Sequence, residues 1–294
     1  MRVFVTGATG FIGSAVVKDL ISAGHAVLGM TRSDQGAESL TSAGAEVHWG
    51  DLEDQDSLRR GTIGVDGVIH LAFDHDFSKF AENCEKDRRA IEALGAGLRG
   101  SHRPLLVTSG LAHLAPGRLA TEDDRPPVAF PRKSEAAAAA LREQGVRAAA
   151  VRLPPSTHGA GDHGFVPMLI KLAREKGVSA FIGDGSNRWP ATHRFDAAHL
   201  FRLALEDGAK SATYHAVAEE GIPFSEIARV IGRGLSVPVV SKTREEAEDH
   251  FGWFSMFAGG DMSASSQQTR QRLNWQPTQP GLLTDMDQAA YFEV

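Results

Sequence analysis

The chain has 294 residues, 42% hydrophobic and 23% charged, which excludes a mostly disordered, collagen-like or coiled-coil protein. Its 31 Lys and Arg against 37 Asp and Glu leave a net charge of −6, so no global basic field draws it to nucleic acid or an anionic membrane. One cysteine, Cys84, rules out an internal disulfide and a Cys-rich zinc site, and no apolar run approaches the roughly 20 residues of a membrane-spanning helix. A cytoplasmic protein is expected, with Cys84 buried on the helical face that it shares with Phe77, Phe80 and Ile91.

The first half alternates short β-branched runs with helical patterns. Residues 3–5 form an apolar run that ends in a glycine-rich turn, and a helical stripe at Ile12, Val16 and Leu20 closes at Gly24. Further strands are expected over 25–30, 45–48, 67–72, 104–108 and 147–153, with a long amphipathic helix over 77–98 and an alanine-rich one over 134–143. Such alternation predicts an α/β fold, a Rossmann-type doubly wound parallel sheet over 1–153. From residue 154 the pattern loosens into Gly-, Pro- and His-rich stretches around a helix over 165–176, then short mixed elements. These predict a smaller C-terminal substrate lobe, 154–294, with some chain crossing back to the sheet. Ligands of such sheets sit beyond the carboxyl ends of the strands, so the loops after Thr6, Met30, His48, Ala72, Thr108 and Leu153 are expected to converge.

The first of these loops, between strand and helix, carries Gly7, Thr9, Gly10, Phe11, Ile12 and Gly13. Glycines there allow a tight turn and close approach to a pyrophosphate, and the helix N-terminus offers free N–H groups to it. A dinucleotide site is therefore expected. Just after the second strand, where NAD-selective proteins place an acid, stand Arg32 and Ser33. A guanidinium forks onto a 2′-phosphate, which predicts NADP(H) as the preferred cofactor and NAD(H) as the alternative, with Asp34 the rival ribose ligand.

The stretch TGATGFIG at 6–13 resembles the fingerprint of the extended and atypical short-chain dehydrogenases/reductases, the epimerase/dehydratase-like family. Asp51-Leu52 resembles the family's adenine-contacting pair, and His70-Leu71-Ala72 its motif beside the nicotinamide ribose. The run from Arg152 through Pro154 and His158 to Gly161 is similar to the loop that opens the family's substrate lobe. Residues 188–196 and 272–277 resemble later family segments. The likeness implies cofactor contacts from Asp51, Leu52, Leu71, Ala72 and Pro154.

The family's Tyr-x-x-x-Lys pair is incomplete. Lys133 stands where the lysine could hold the ribose, but four positions earlier is Ala129, and the tyrosines, Tyr214 and Tyr291, lie in the C-terminal half. Ser109 follows the fifth strand as a candidate hydrogen-bond donor to the reacting group, although strict alignment places Gly110 at the catalytic serine. A general acid is worth about 10²–10⁴-fold in rate, so another donor or an already cationic substrate is implied. His75, His113, His158 and His193 follow strands or family-like segments and are expected around the substrate, with Phe165 and Trp189 as an apolar wall. A metal is not expected, since His158, Asp162 and His163 would have to ligate from one glycine-rich loop. The resemblance implies an oxidoreductase using NADPH to reduce a ketone, aldehyde or imine of a small to medium apolar substrate. A non-catalytic cofactor-binding sensor and a sugar-nucleotide epimerase or dehydratase are the rivals, and a homodimer is compatible.

Overall fold

The computed structural model describes residues 1–112 and 114–293. The Rossmann half runs β1 (Arg2–Thr6), α1 (Phe11–Ser22), β2 (Ala26–Thr31), α2 (Asp34–Ser42), β3 (Glu46–Trp49), α3 (Gln55–Gly61), β4 (Gly67–His70), α4 (Phe80–Ala96), β5 (Pro104–Gly110), α5 (Ser134–Glu143) and β6 (Arg147–Leu153). The remainder runs β7 (Ser156–His158), α6 (Phe165–Lys176), β8 (Ser179–Ile182), β9 (Arg188–His193), α7 (Arg194–Glu206), β10 (Thr213–His215), β11 (Glu219–Pro223), α8 (Phe224–Leu235), β12 (Val239–Lys242), α9 (Arg244–Phe251), α10 (Ser255–Ala258), α11 (Gln267–Leu273) and α12 (Leu282–Met286).

Seven parallel strands form the central sheet in the order β10-β6-β5-β4-β1-β2-β3. Strand periodicity divides its side chains between two layers. Val3, Val5, Ile69, Leu106, Ala149 and Val151 face one core, under α1 and α7, while Phe4, Val68, Leu105, Val107, Ala148 and Ala150 face the other, under α4 and α5. The strand order reverses between β1 and β4, whose ends therefore open the crevice where ligands of doubly wound sheets bind.

A boundary at residue 153 cuts through this half. β10 pairs with β6, and α7 packs its buried alanines and Phe201 into the same core as α1. The smaller lobe is thus built from 154–193 and from most of 218–293. Its core gathers Trp189, Phe224, Ile227 and Phe254. The Gly-, Pro- and His-rich stretch 183–193 contains β9, whose partners β7 and β11 come from elsewhere in the chain. Strand pairing, not local composition, decided that segment. No helix is long and apolar enough to cross a membrane among the described residues. Cys84 is buried in α4, and burial pushes its thiol up to about 11, which makes it a packing residue and a poor nucleophile.

One buried cation ties the end of the sheet together. Arg152 of β6, 1% exposed, forks onto both carboxylate oxygens of Glu135 (2.9 and 2.7 Å) and donates to the carbonyls of Thr121 and Asp124 and to Nε2 of His215 (2.9 Å). Because Nε2 accepts, the proton of His215 must sit on Nδ1, which donates to the Ser265 carbonyl at 2.7 Å. Burial and the neighbouring guanidinium push the His215 imidazole down to about 4. An unfolded histidine titrates near 6.5, so the unfolded state binds the extra proton and stability is lost as pH falls from about 6.5 toward 4. We expect urea unfolding to show a loss on the order of 3 kcal/mol over that window. His215→Gln should flatten the decline; an equally steep decline in the variant would assign it to other groups.

Candidate functional site

The turn between β1 and α1 is set by two contacts that admit no side chain. Gly7 has φ of 66°, and a Cβ there would lie 2.7 Å from the Ala72 nitrogen at the end of β4. A Cβ on Gly13 would lie 1.9 Å from the Gly7 carbonyl oxygen, so α1 reaches the turn only because glycine stands there. Gly10 caps α1 without a side-chain hydrogen bond, which leaves the N–H groups of Phe11, Ile12 and Gly13 open to an anion. Thr9 lies in this turn, just ahead of Gly10.

Behind the turn runs a buried polar chain. Thr6 Oγ1 meets His70 Nδ1 at 2.7 Å, His70 Nε2 lies 3.3 Å from Asp87, and the Ser134 hydroxyl donates to Asp87 at 2.6 Å. Burial alone would raise the Asp87 carboxyl, but His70, Arg132 and Ser134 hold it below the usual range. The chain clamps β1, β4, α4 and α5, and thereby positions Leu71 and Ala72. Arg194, at the start of α7, adds a contact that sequence reasoning missed. Its guanidinium lies 4.6 Å over the Phe11 ring and donates to Ser14 Oγ and to the Ala160 carbonyl.

At the other end of the crevice, Arg32 is 83% exposed, with one guanidinium nitrogen 3.3 Å from Asp51. Ser33 accepts from the Gly36 N–H as the cap of α2, while Asp51 accepts from the Glu53 N–H. Leu52 is half-buried against the core beneath α4. Arg32 is thus solvent-exposed and paired with Asp51.

The corner expected to be catalytic is arranged differently from the sequence reading. Ser109 is 6% exposed, and its hydroxyl donates to Glu135 Oε1 at 2.8 Å instead of facing the crevice. On a strand the next residue points the opposite way, and a Cβ added at Gly110 would meet nothing within 4 Å. Lys133 spends two of its three N–H donors on the Val128 and Phe130 carbonyls, both at 2.7 Å. Arg132 donates to the Thr108 carbonyl and lies 4.3 Å over the Phe73 ring.

Aromatic rings cluster beside this corner, joined to it by Arg132. Phe73 contacts His75 and Phe80; Phe80 contacts Phe130; Phe77 contacts Phe80, Phe165 and Trp253. They come from the loops after β4 and β5, from α6 and from the turn after α9, so the belt bridges both halves of the chain. Partial burial of the His75 imidazole, with Arg132 and His163 beside it, lowers its pKa.

Three expected substrate residues lie elsewhere. Trp189 is fully buried in the lobe core and donates its indole N–H to the Phe257 carbonyl. His158 is fully buried too, with Nδ1 2.8 Å from Asp285 of α12. His193 is 7% exposed and caps α7 by accepting from the Phe195 N–H. Each was placed near the site by its sequence neighbours, but strand alternation turned its side chain into the lobe. Phe165 does reach the belt, half-buried. His113 lies outside the described residues. Tyr291, remote in sequence, comes to the Gly159 N–H, whose donation its hydroxyl accepts at 3.0 Å. Beside it the Asp162 carboxyl is raised to about 6, chiefly by burial. No group of three or more metal-ligand side chains is assembled among the described residues.

Comparison with known proteins agrees with this geometry. The model of the NAD dependent epimerase/dehydratase family matches residues 3–91. An uncharacterised protein of Schizosaccharomyces pombe is 53% identical over 99% of this chain and 100% of its own. A 4-hydroxy-2-methyl-3-oxo-4-farnesyl-3,4-dihydroquinoline-1-oxide ketoreductase of Stigmatella aurantiaca is 31% identical over 73% of this chain and 67% of its own. Among solved structures, a dTDP-glucose 4,6-dehydratase of Streptomyces venezuelae with NAD bound superposes with a TM-score of 0.77 at 18% identity, covering 99% of this chain and 96% of that one. With a Rossmann sheet, a glycine turn fit for a dinucleotide pyrophosphate and relatives of this kind, the chain belongs to the NAD(P)-binding epimerase/dehydratase family of short-chain dehydrogenase/reductase-like proteins.

Proposed function

We propose that the protein uses NADPH to reduce a ketone, aldehyde or imine carried on a small to medium apolar substrate. The observation that carries this reading is the aromatic belt that joins the segments after β4 and β5 to α6 and Trp253. The reduced nicotinamide, when bound, supplies the hydride. The open N–H groups of α1 hold the pyrophosphate, Arg32 and Ser33 meet the 2′-phosphate, and Asp51 and Leu52 flank the adenine. Lys133 directs its remaining N–H to the ribose, and Leu71, Ala72 and Pro154 wall the nicotinamide. The aromatic belt excludes water and orients the substrate. Relatives that are named ketoreductases and reductases support the reading.

The absence of a hydroxyl at positions 110 and 129 favours, as a second reading, a sensor that binds the cofactor without turnover. Steady NADPH oxidation across a panel of carbonyls and imines decides for the enzyme; tight binding with no oxidation decides for the sensor. Cofactor that recycles while tightly bound would instead place the protein with the epimerases and dehydratases.

Two substitutions test the cofactor assignment. In Gly10→Val the added carbon starts 3.2 Å from the Gly7 carbonyl oxygen and the branches extend over the anion site. NADPH affinity by fluorescence titration should fall at least about tenfold in a variant that stays folded; undiminished affinity would remove the pyrophosphate from this turn. Arg32→Ala should weaken NADPH binding by roughly ten- to a hundredfold and leave NADH nearly unchanged, since a hydrogen bond to a charged group is worth about 1.5–3 kcal/mol. Equal weakening of both would mean that Arg32 stacks on the adenine without reading the phosphate.

A further inference from the structure

The reacting corner and its mouth together narrow the substrate class. Neither position at which the family places a hydroxyl carries one, for they are Gly110 and Ala129. Ser109, the adjacent serine, donates its hydroxyl hydrogen bond to the Glu135 carboxylate, which Arg152 holds in a two-pronged grip. The space before Gly110 is open. In the aromatic belt, Phe77 and Trp253 stack at 5.1 Å with 27° between their planes, and Trp253 keeps 52% of its surface exposed. Val128, on the loop before Lys133, is 94% exposed, and Met256 beyond Trp253 is 56% exposed. At the inner end of the belt the Arg132 guanidinium lies over Phe73.

We infer that the acceptor is a planar conjugated carbonyl compound of the quinone type, held by the aromatic belt with its oxygen toward the open space at Gly110. The inference rests on the NADPH-dependent reduction proposed above and deepens it. A saturated ketone that accepts a hydride becomes an alkoxide about as basic as hydroxide, water's own pKa being about 15.7, and so needs an acid in place. A quinone that accepts a hydride becomes a phenolate-type oxygen, whose conjugate acid titrates near 10 as the tyrosine phenol does, and water can protonate it. The balance closes. The quinone takes two electrons and one proton as hydride from reduced nicotinamide, which leaves oxidised, and a second proton from water makes the quinol. Arg132 faces the negative charge while it persists, and the rings offer the flat acceptor the offset-stacked contact that aromatic pairs prefer.

Binding can be read without turnover. Cofactor-free protein is titrated by calorimetry with 1,4-naphthoquinone and, as a saturated bicycle of similar size, 2-decalone. Cys84 is buried with a raised pKa, so quinone arylation of a thiol does not confuse the titration. We expect the naphthoquinone to bind and Trp253→Ala, at an exposed position, to lose about tenfold in affinity. With NADPH, kcat/KM for naphthoquinone should exceed that for decalone by at least about a hundredfold, the low end of a missing general acid. Gly110→Ser should narrow that gap by restoring a hydroxyl for the saturated ketone. Quinone binding that ignores Trp253→Ala, or decalone turned over as readily as naphthoquinone, would overturn the inference and leave carbonyl reduction standing. NADPH that binds but is oxidised by neither compound nor by any carbonyl or imine would overturn both.

Discussion

A missing carbon atom at Gly13 governs the rest of this molecule. Any side chain there would drive α1 away from the Gly7 carbonyl, and with it the open N–H groups that point at the crevice. Gly7 in turn presses on the backbone of Leu71 and Ala72, so the end of β4 is positioned by the same close contact. The Thr6–His70–Asp87–Ser134 chain fixes that end from behind, through buried groups that each find a partner. Cofactor geometry is thus a property of backbone approach and buried polar satisfaction rather than of any long side chain.

The buried Arg152 explains why the reacting corner differs from the pattern that its sequence resembles. A guanidinium in the interior must be paired and fully hydrogen-bonded, and removing a partner from such a pair costs about 3–5 kcal/mol. Glu135 supplies the pairing charge, and Ser109, lying opposite Arg152 in the β5–β6 register, is drawn into the same network. The Ser109 hydroxyl is spent on holding this end of the sheet, and the next residue, Gly110, has no side chain.

The C-terminal tail closes on its own lobe, and Arg194 joins that lobe to the cofactor half through the Ala160 carbonyl. Asp285 and Tyr291 close on His158, Gly159 and the Asp162 loop, while Arg194 reaches from α7 over Phe11 and Ser14. The histidines that follow the strands are therefore mostly joinery. Among the described residues, His75, on the loop after β4, is exposed and contacts Phe73 of the aromatic belt.

By itself the sequence determined the alternating sheet and the dinucleotide turn. Each depends on residues within a few positions of one another, whose periodicity and turn chemistry are local. Tertiary structure alone decided the placement of β9, β10 and α7, because their strand partners and packing faces lie far away in the chain. It likewise turned Trp189, His158 and His193 inward and brought Tyr291 to Gly159, while assembling six aromatic rings from four separate segments into one mouth. Which way a side chain faces depends on register and on what packs against the strand, and no run of neighbouring residues carries that information.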